Sequence, residues 1–249
     1  MKVMPNINLS PSEYYSIFQN EETHGGEGII SRGSRPNTLY KIFFNGRKEL
    51  CPMPENKQRK ILEIYQKGFE YCVTPLATLS LNGEMVGYEM TRDGNDVDLE
   101  SLKELPREEM IAILRRAKIA LEYFASKDIT YGDVTESNIL INRQTGAVKF
   151  CDIDNMRVGE YPIDIKGFSL SKYYSKTGVI DRKADAYMHN LLTIRKLHYR
   201  EEVYDTEILR DLNKGIYPTK FKLAARPIFK SMTTPETFQG EYAIQYIKR

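Results

Sequence analysis

Two acids and an amide stand close together in residues 131–155, YGDVTESNILINRQTGAVKFCDIDN. Asp133 is followed five positions later by Asn138 and then by the apolar triplet Ile139, Leu140, Ile141. A polar stretch, 142–146, separates this from a second apolar run, 147–151, which ends at Asp152. The apolar runs have strand composition, and the residues between them are turn formers. Paired as a hairpin, they put Asn138 and Asp152 at one end, with Asp133 in the loop just before. Oxygen donors converging there suit Mg²⁺, a hard cation that keeps waters and is completed by phosphate oxygens. Asp and Asn flanking strands are also ordinary turn formers, and each residue taken singly reads that way. The combination of D-x4-N, apolar triplet, turn, strand and D-I-D exceeds what a generic hairpin needs.

Such groups must be held by the elements around them. Leu105-Pro106-Arg107-Glu108-Glu109 reads as a helix start, with proline in the first turn and acids at the positive end of the dipole. Met110, Ile111, Ile113, Leu114, Ala117, Leu121 and Phe124 then recur at helical spacing to about Ser126. Later helices are predicted over 183–197 and 206–214. Upstream, 29–32 and 38–44 read as strands around the turn cluster 33–37. A helix is predicted over 54–67, stopped by Gly68, and strands over 72–79 and 84–90, joined by an Asn82-Gly83 turn. The polar run TRDGNDVD, 91–98, reads as a linker. This order predicts an α+β chain with two segregated lobes, 1–90 rich in strands with one helix and 91–249 mostly helical.

Composition sets outer bounds. With 249 residues and 41% hydrophobic side chains, the chain can bury a sizeable core. A formal net charge of only +2 implies neither a nucleic-acid partner nor an acidic tail. No membrane span and no signal peptide are expected, since no window approaches about 18 apolar residues. Cys51, Cys72 and Cys151 are odd in number and widely spaced, so they read as buried free thiols in a reducing cytosol.

The segments YGDVTESNILIN and VKFCDID resemble the catalytic and metal-binding segments of the protein-kinase-like superfamily, usually H-R-D-x4-N followed by D-F-G. The resemblance implies a bilobal kinase-like fold with a trimmed C-lobe. By position it makes Asp133 the catalytic base, Asn138 and Asp152 the ligands of Mg²⁺ or Mn²⁺, and Leu140 the apolar residue under the adenine of ATP. In style, G-D-x4-N with D-x-D-N is closest to small bacterial and phage kinase-like proteins. Aminoglycoside and choline kinases also carry Gly before the catalytic Asp. Upstream, Leu39-Tyr40-Lys41 resembles the strand whose lysine contacts the α- and β-phosphates. Gly25, Gly26 and Gly28 stand where the phosphate-covering loop belongs, without a clean G-x-G-x-x-G. The resemblance implies that Glu55 or Glu63 holds Lys41, and that backbone groups of Glu89 to Thr91 bond the adenine edge. It further makes Asp185, in Lys183-Ala184-Asp185-Ala186-Tyr187, a brace for the catalytic-loop backbone. Each has a plainer alternative: an edge-strand charge for Lys41, solvated acids for Glu55 and Glu63, a helix N-terminal acid for Asp185. The resemblance covers about residues 25–197.

The chain departs from the family pattern at identifiable places. Tyr131 stands for the usual His, Gly132 for Arg, Thr135 for Lys or His, and Asp154 for the Gly of D-F-G. Asp152 and Asp154 would share a side if the backbone there stays extended. Without the Arg, activity is expected to be independent of phosphorylation at Tyr161, Ser169, Ser171, Tyr173 or Tyr174. The resemblance implies an ATP- and Mg²⁺-dependent phosphotransferase, first of all a serine/threonine protein kinase-like enzyme. The acceptor is a hydroxyl on a protein or a small molecule. A small-molecule hydroxyl kinase, a nucleotide-binding pseudokinase and a nucleotidyl transferase are the alternatives.

Overall fold

In a computed structural model the chain is α+β and divides into two compact units, Met1–Asp96 and Val97–Arg249. The structure describes residues 2–19, 21–24, 28–44, 51–102, 104–163, 174, 177–178, 180–198 and 238–247. The helix expected over 206–214, Gly25, Gly26, Ser169, Ser171 and Tyr173 lie outside the described residues.

The N-terminal unit is built on a mixed six-stranded sheet. Its strands are β1 (Asn6–Leu9), β2 (Glu21–His24), β3 (Gly28–Arg32), β4 (Thr38–Phe43), β5 (Pro75–Leu81) and β6 (Glu84–Thr91), in the spatial order β1-β5-β6-β4-β3-β2. Only β1–β5 pairs in parallel. The β5–β6 hairpin turns at Asn82 and Gly83, both with positive φ, 53° and 84°, as a tight right-twisting turn requires. Among the described residues two helices belong to this unit, α1 (Pro11–Gln19) and α2 (Glu55–Lys67). The sequence predicts one helix in 1–90, over 54–67, and α1 is a second that corrects it. Nine residues are too short to hold a helix alone in water, and tertiary packing of Tyr14 and Ile17 stabilises it.

Strand alternation sorts β4 onto two faces. Tyr40, Ile42 and Phe44 join Leu9, Tyr14, Ile17, Ile29, Leu79, Leu81 and Val86 in one apolar cluster. Period two then sends Lys41 and Phe43 to the opposite face. Gly87 of β6 lies against β4 so closely that an added Cβ would sit 2.1 Å from the Lys41 carbonyl oxygen. A side chain there would push the strands apart, so this glycine fixes the approach of the strand bearing Lys41.

The C-terminal unit centres on α3 (Arg107–Ser126) and α4 (Arg182–His198). The buried stripe of α3 comprises Met110, Ile111, Ile113, Leu114, Ala117, Ala120, Leu121 and Phe124, the spacing expected of one packed face. A three-stranded sheet orders β10 (Val148–Phe150), β9 (Ile139–Asn142) and β7 (Asp96–Asp98). A two-stranded ribbon pairs β8 (Ile129–Thr130) with β11 (Arg157–Val158). The expected linker 91–98 therefore contains a strand, since its polar side chains are tolerated where a short edge strand is only half-buried. Among the described residues no helix is long and apolar enough to cross a membrane.

Candidate active site

The helix α3 ends at Lys127, and Asp128 takes φ 56° to turn the chain into β8. The strand delivers Tyr131, Gly132 and Asp133. Gly132 has φ 82°, a conformation costly for a residue with a Cβ. It turns two successive amides onto one anion: Tyr131 N donates to Asp185 Oδ2 at 2.8 Å, and Gly132 N to Asp185 Oδ1 at 2.6 Å. Successive N–H groups converging on a carboxylate make an anion nest. Asp185, in the first turn of α4, is thus the expected backbone brace. Burial pushes its carboxyl up to about 7, against the opposing pull of the Gly132 and Tyr131 amides.

Tyr131 secures the other side of the loop. Its ring is wholly buried, 4.6 Å between centroids from Phe150 and stacked on Phe124 at 6.2 Å. Its hydroxyl donates a short hydrogen bond to the Cys151 carbonyl, immediately before Asp152. Burial raises the phenol well above its ordinary range, so it stays a neutral donor. Tyr131 therefore ties the Asp133 loop to the strand end at Cys151, next to Asp152.

The loop itself folds back on Asp133. Thr135 N donates to the Asp133 carbonyl at 2.9 Å, and Asn138 N to the Thr135 carbonyl at 3.3 Å. Asn138 Nδ2 donates to Asp133 Oδ2 at 2.7 Å and to the Asp133 carbonyl at 3.1 Å. A carboxylate only accepts, so the amide must turn its nitrogen to Asp133 and present Oδ1 elsewhere. Antiparallel pairing sets Phe150 against Ile139 and Val148 against Ile141, and Cys151 N donates to the Asn138 carbonyl at 3.0 Å. Asn138 and Asp152 are thereby neighbours at one end of the β9–β10 hairpin. Leu140 is the half-exposed residue of β9, between buried Ile139 and Ile141, on the opposite strand face.

Asp152 has φ 55° and opens a short 3-10 turn, Ile153–Asn155. The backbone is not extended here, which corrects the expectation that Asp152 and Asp154 share a side. Asp154 is completely buried, whereas Asp152 stays half-buried and accepts Asn155 Nδ2 at 2.6 Å. Among the described residues no three His, Cys, Asp or Glu side chains converge as a metal cluster. A divalent ion beside Asp152 would take one carboxylate, the Asn138 amide oxygen and oxygens from a phosphate ligand. That all-oxygen set fits Mg²⁺.

Glu136 is a contribution that sequence reasoning missed. Its carboxylate lies 3.6 Å from Arg195 Nη1 and forms a close ion pair with Lys196, both on the last turns of α4. Lys196 also donates to the Leu99 carbonyl at 3.5 Å. The loop is therefore held by Asp185 at one end of α4 and by two cations near the other. A separation of about sixty residues leaves no local signal for such a pairing.

In the N-terminal unit several expectations need correction. Glu55 pairs with Arg59 and Glu63 with Lys67, each four residues on along the same helix, so neither holds Lys41. The reason is rotational: α2 buries Lys57, Lys60, Ile61 and Ile64, the i, i+3, i+4, i+7 stripe, which leaves both acids off the packed face. Glu89 and Thr91 do not offer a free backbone edge. Glu89 pairs with Tyr40 on one side and Ala77 on the other, and Thr91 N donates to the Thr74 carbonyl at 3.0 Å. The Glu89 side chain is fully buried and paired with Arg35. Gly28 opens β3 opposite Phe43, and an added Cβ would meet the Ile42 carbonyl oxygen at 2.7 Å, so strand packing alone accounts for this glycine. Lys41 is buried on the α2 side of β4, its ammonium 5.4 Å from the Phe43 ring centre. All three cysteines are free thiols, but only Cys72 is buried; Cys51 and Cys151 are partly exposed, unlike the sequence expectation.

No protein-family model matches the chain, and no curated protein matches it.

Proposed function

We propose that the protein is a protein-kinase-like ATP- and Mg²⁺-dependent phosphotransferase, with Met1–Asp96 as the N-lobe and Val97–Arg249 as the C-lobe. The acceptor is a hydroxyl, first of all that of a serine or threonine side chain in a protein. The observation that carries this reading is the Asp133–Asn138 hydrogen bond, in a loop whose backbone is clamped by Asp185 and whose Tyr131 is tied to the residue before Asp152.

In the proposed step the acceptor oxygen bonds to the γ-phosphorus as the bond from that phosphorus to the β–γ bridging oxygen breaks. ADP departs with the electron pair. Asp133 takes the hydroxyl proton, its carboxylate oriented by Asn138. Asn138 and Asp152 are the residues that would hold Mg²⁺, which supplies charge neutralisation on the phosphates when bound. Lys41 is assigned to the α- and β-phosphates. The chain's own contribution is positioning and a preorganised field, the main source of catalysis in phosphoryl transfer. The free thiols suit a reducing cytosol.

Incubation with ATP labelled at the γ- or α-phosphate, with Mg²⁺ and a mixed protein substrate, tests the reading. Label transferred from the γ position only is expected. Transfer from the α position would assign nucleotidyl transfer instead. Saturable ATP binding without any transfer, to protein or to a panel of hydroxyl compounds, would leave a pseudokinase.

A further inference from the structure

We propose that Tyr131 is a positioning residue for a divalent ion at Asp152: its hydroxyl holds the Cys151–Asp152 peptide in the orientation that keeps the Asp152 carboxylate beside the Asn138 amide. The proposal rests on the phosphotransferase reading and deepens it. It assigns part of that site's affinity for metal to a buried aromatic side chain that touches neither metal nor nucleotide.

Three hydrogen bonds tie Cys151 to residues 131–138. Its N–H donates to the Asn138 carbonyl at 3.0 Å, its thiol to the Ser137 carbonyl at 3.7 Å, and its own carbonyl accepts the Tyr131 hydroxyl. The residue before Asp152 is thus fixed to the stretch that contains Asp133 and Asn138. Asp152 itself has φ 55°, a left-handed conformation unfavourable for a residue with a Cβ. Such a conformation persists only where the surroundings over-determine it. Anchoring the Cys151 carbonyl fixes the peptide plane from which the Asp152 Cα projects. With that carbonyl released, φ can relax toward the negative region, and the Asp152 side chain turns with it. The hydroxyl cannot follow such a movement. The Tyr131 ring is 1% exposed and packs against Phe150 and Phe124, with centroids 4.6 Å and 6.2 Å away. The ring therefore supplies the rigidity and the hydroxyl the direction.

The test measures ATP dissociation constants with Mg²⁺ and in EDTA for the wild-type chain, Tyr131→Phe, Asp152→Asn and the double variant. Phenylalanine keeps the ring and removes only the hydroxyl. The factor by which Mg²⁺ tightens ATP binding is expected to fall about ten-fold in Tyr131→Phe, with affinity in EDTA changed by less than about two-fold. Asp152→Asn should lose that factor as well, and adding Tyr131→Phe to it should cost nothing more, as expected of two residues acting through one ligand. On the wild-type chain, NMR relaxation dispersion at the Cys151 and Asp152 amides should show no millisecond exchange before Mg²⁺ is added, an arm that needs no folded variant. Equal weakening with and without Mg²⁺, or an unchanged factor in Tyr131→Phe, overturns the proposal and assigns the tyrosine to packing. Exchange at Asp152 that Mg²⁺ quenches overturns it too, since the metal and not the hydroxyl then sets the peptide. A wild-type chain whose ATP affinity does not respond to Mg²⁺ sinks the phosphotransferase reading itself, and is thereby distinguished from failure at Tyr131 alone.

Discussion

Two buried carboxylates, Glu89 in the N-terminal unit and Asp185 in the C-terminal unit, are satisfied in different ways. Glu89, in the central strand β6, reaches the guanidinium of Arg35, whose side chain is 52% exposed. Asp185, at the start of α4, accepts two backbone amides, from Tyr131 and Gly132. The first bond pins a turn to a strand through a long, half-solvated side chain. The second fixes backbone dihedrals at the two residues before Asp133. A side-chain partner can move or be solvated, whereas a pair of amides can only stay where the chain geometry puts them. That difference makes the backbone before Asp133 the more rigidly positioned of the two.

The comparison breaks most sharply at Asp133. Asp133→Asn should reduce phosphoryl transfer by about 10²–10⁴-fold while leaving Mg²⁺-ATP affinity near wild type, measured by initial rates and calorimetric titration. Retained turnover would remove Asp133 from the mechanism. Next come the two buried acids. Asp185→Ala leaves two buried amides without their acceptor and should cost about 1–3 kcal/mol for each in denaturant unfolding, with a matching fall in kcat. Glu89→Gln should cost only about 1 kcal/mol, because exposed Arg35 regains water. A larger loss for Glu89→Gln than for Asp185→Ala would reverse the contrast.

A pH profile sharpens it further. Asp185 is raised to about 7 by burial, so the folded state holds a proton between about 4 and 7 that the unfolded chain has released. This group therefore makes the protein less stable as pH rises through that window. His189, also on α4, bonds through Nε2 to the Leu114 carbonyl, and burial lowers it to about 4. Its contribution is present above about 6.5 and is lost as pH falls toward 4. The two slopes oppose each other. Asp185→Asn should unmask a steeper loss of stability on acidification from 7 to 4, followed by urea midpoints. An unchanged slope would show that Asp185 is ionised throughout. The smallest effects belong to α2: Glu55→Gln and Glu63→Gln should each change stability by less than about 0.5 kcal/mol and leave ATP affinity unaltered. Weakened ATP binding in either would restore the carboxylate–lysine pairing that the structure does not show.

Legibility in the sequence follows the range of the interactions. The D-x4-N spacing, the hairpin and the apolar stripe of α3 are local patterns, and each was readable because spacing alone fixes which residues meet. The choice between Glu55 and Glu63 was not readable. It depends on how α2 is rotated against the sheet, and packing of Ile61 and Ile64 decides that. The state of Glu89 was hidden for a similar reason, since an edge or central position in a sheet depends on strand order.

Residue type and spacing determined the candidate acid, the amide beside it, the candidate metal-ligating carboxylate and the glycine that turns the loop. Tertiary structure alone decided what holds them. Asp185 lies 53 residues from Gly132, and Glu136 meets Arg195 and Lys196 across a comparable gap. The chemistry of a side chain is written in its identity, but its orientation is set by partners that chain separation keeps out of any local pattern.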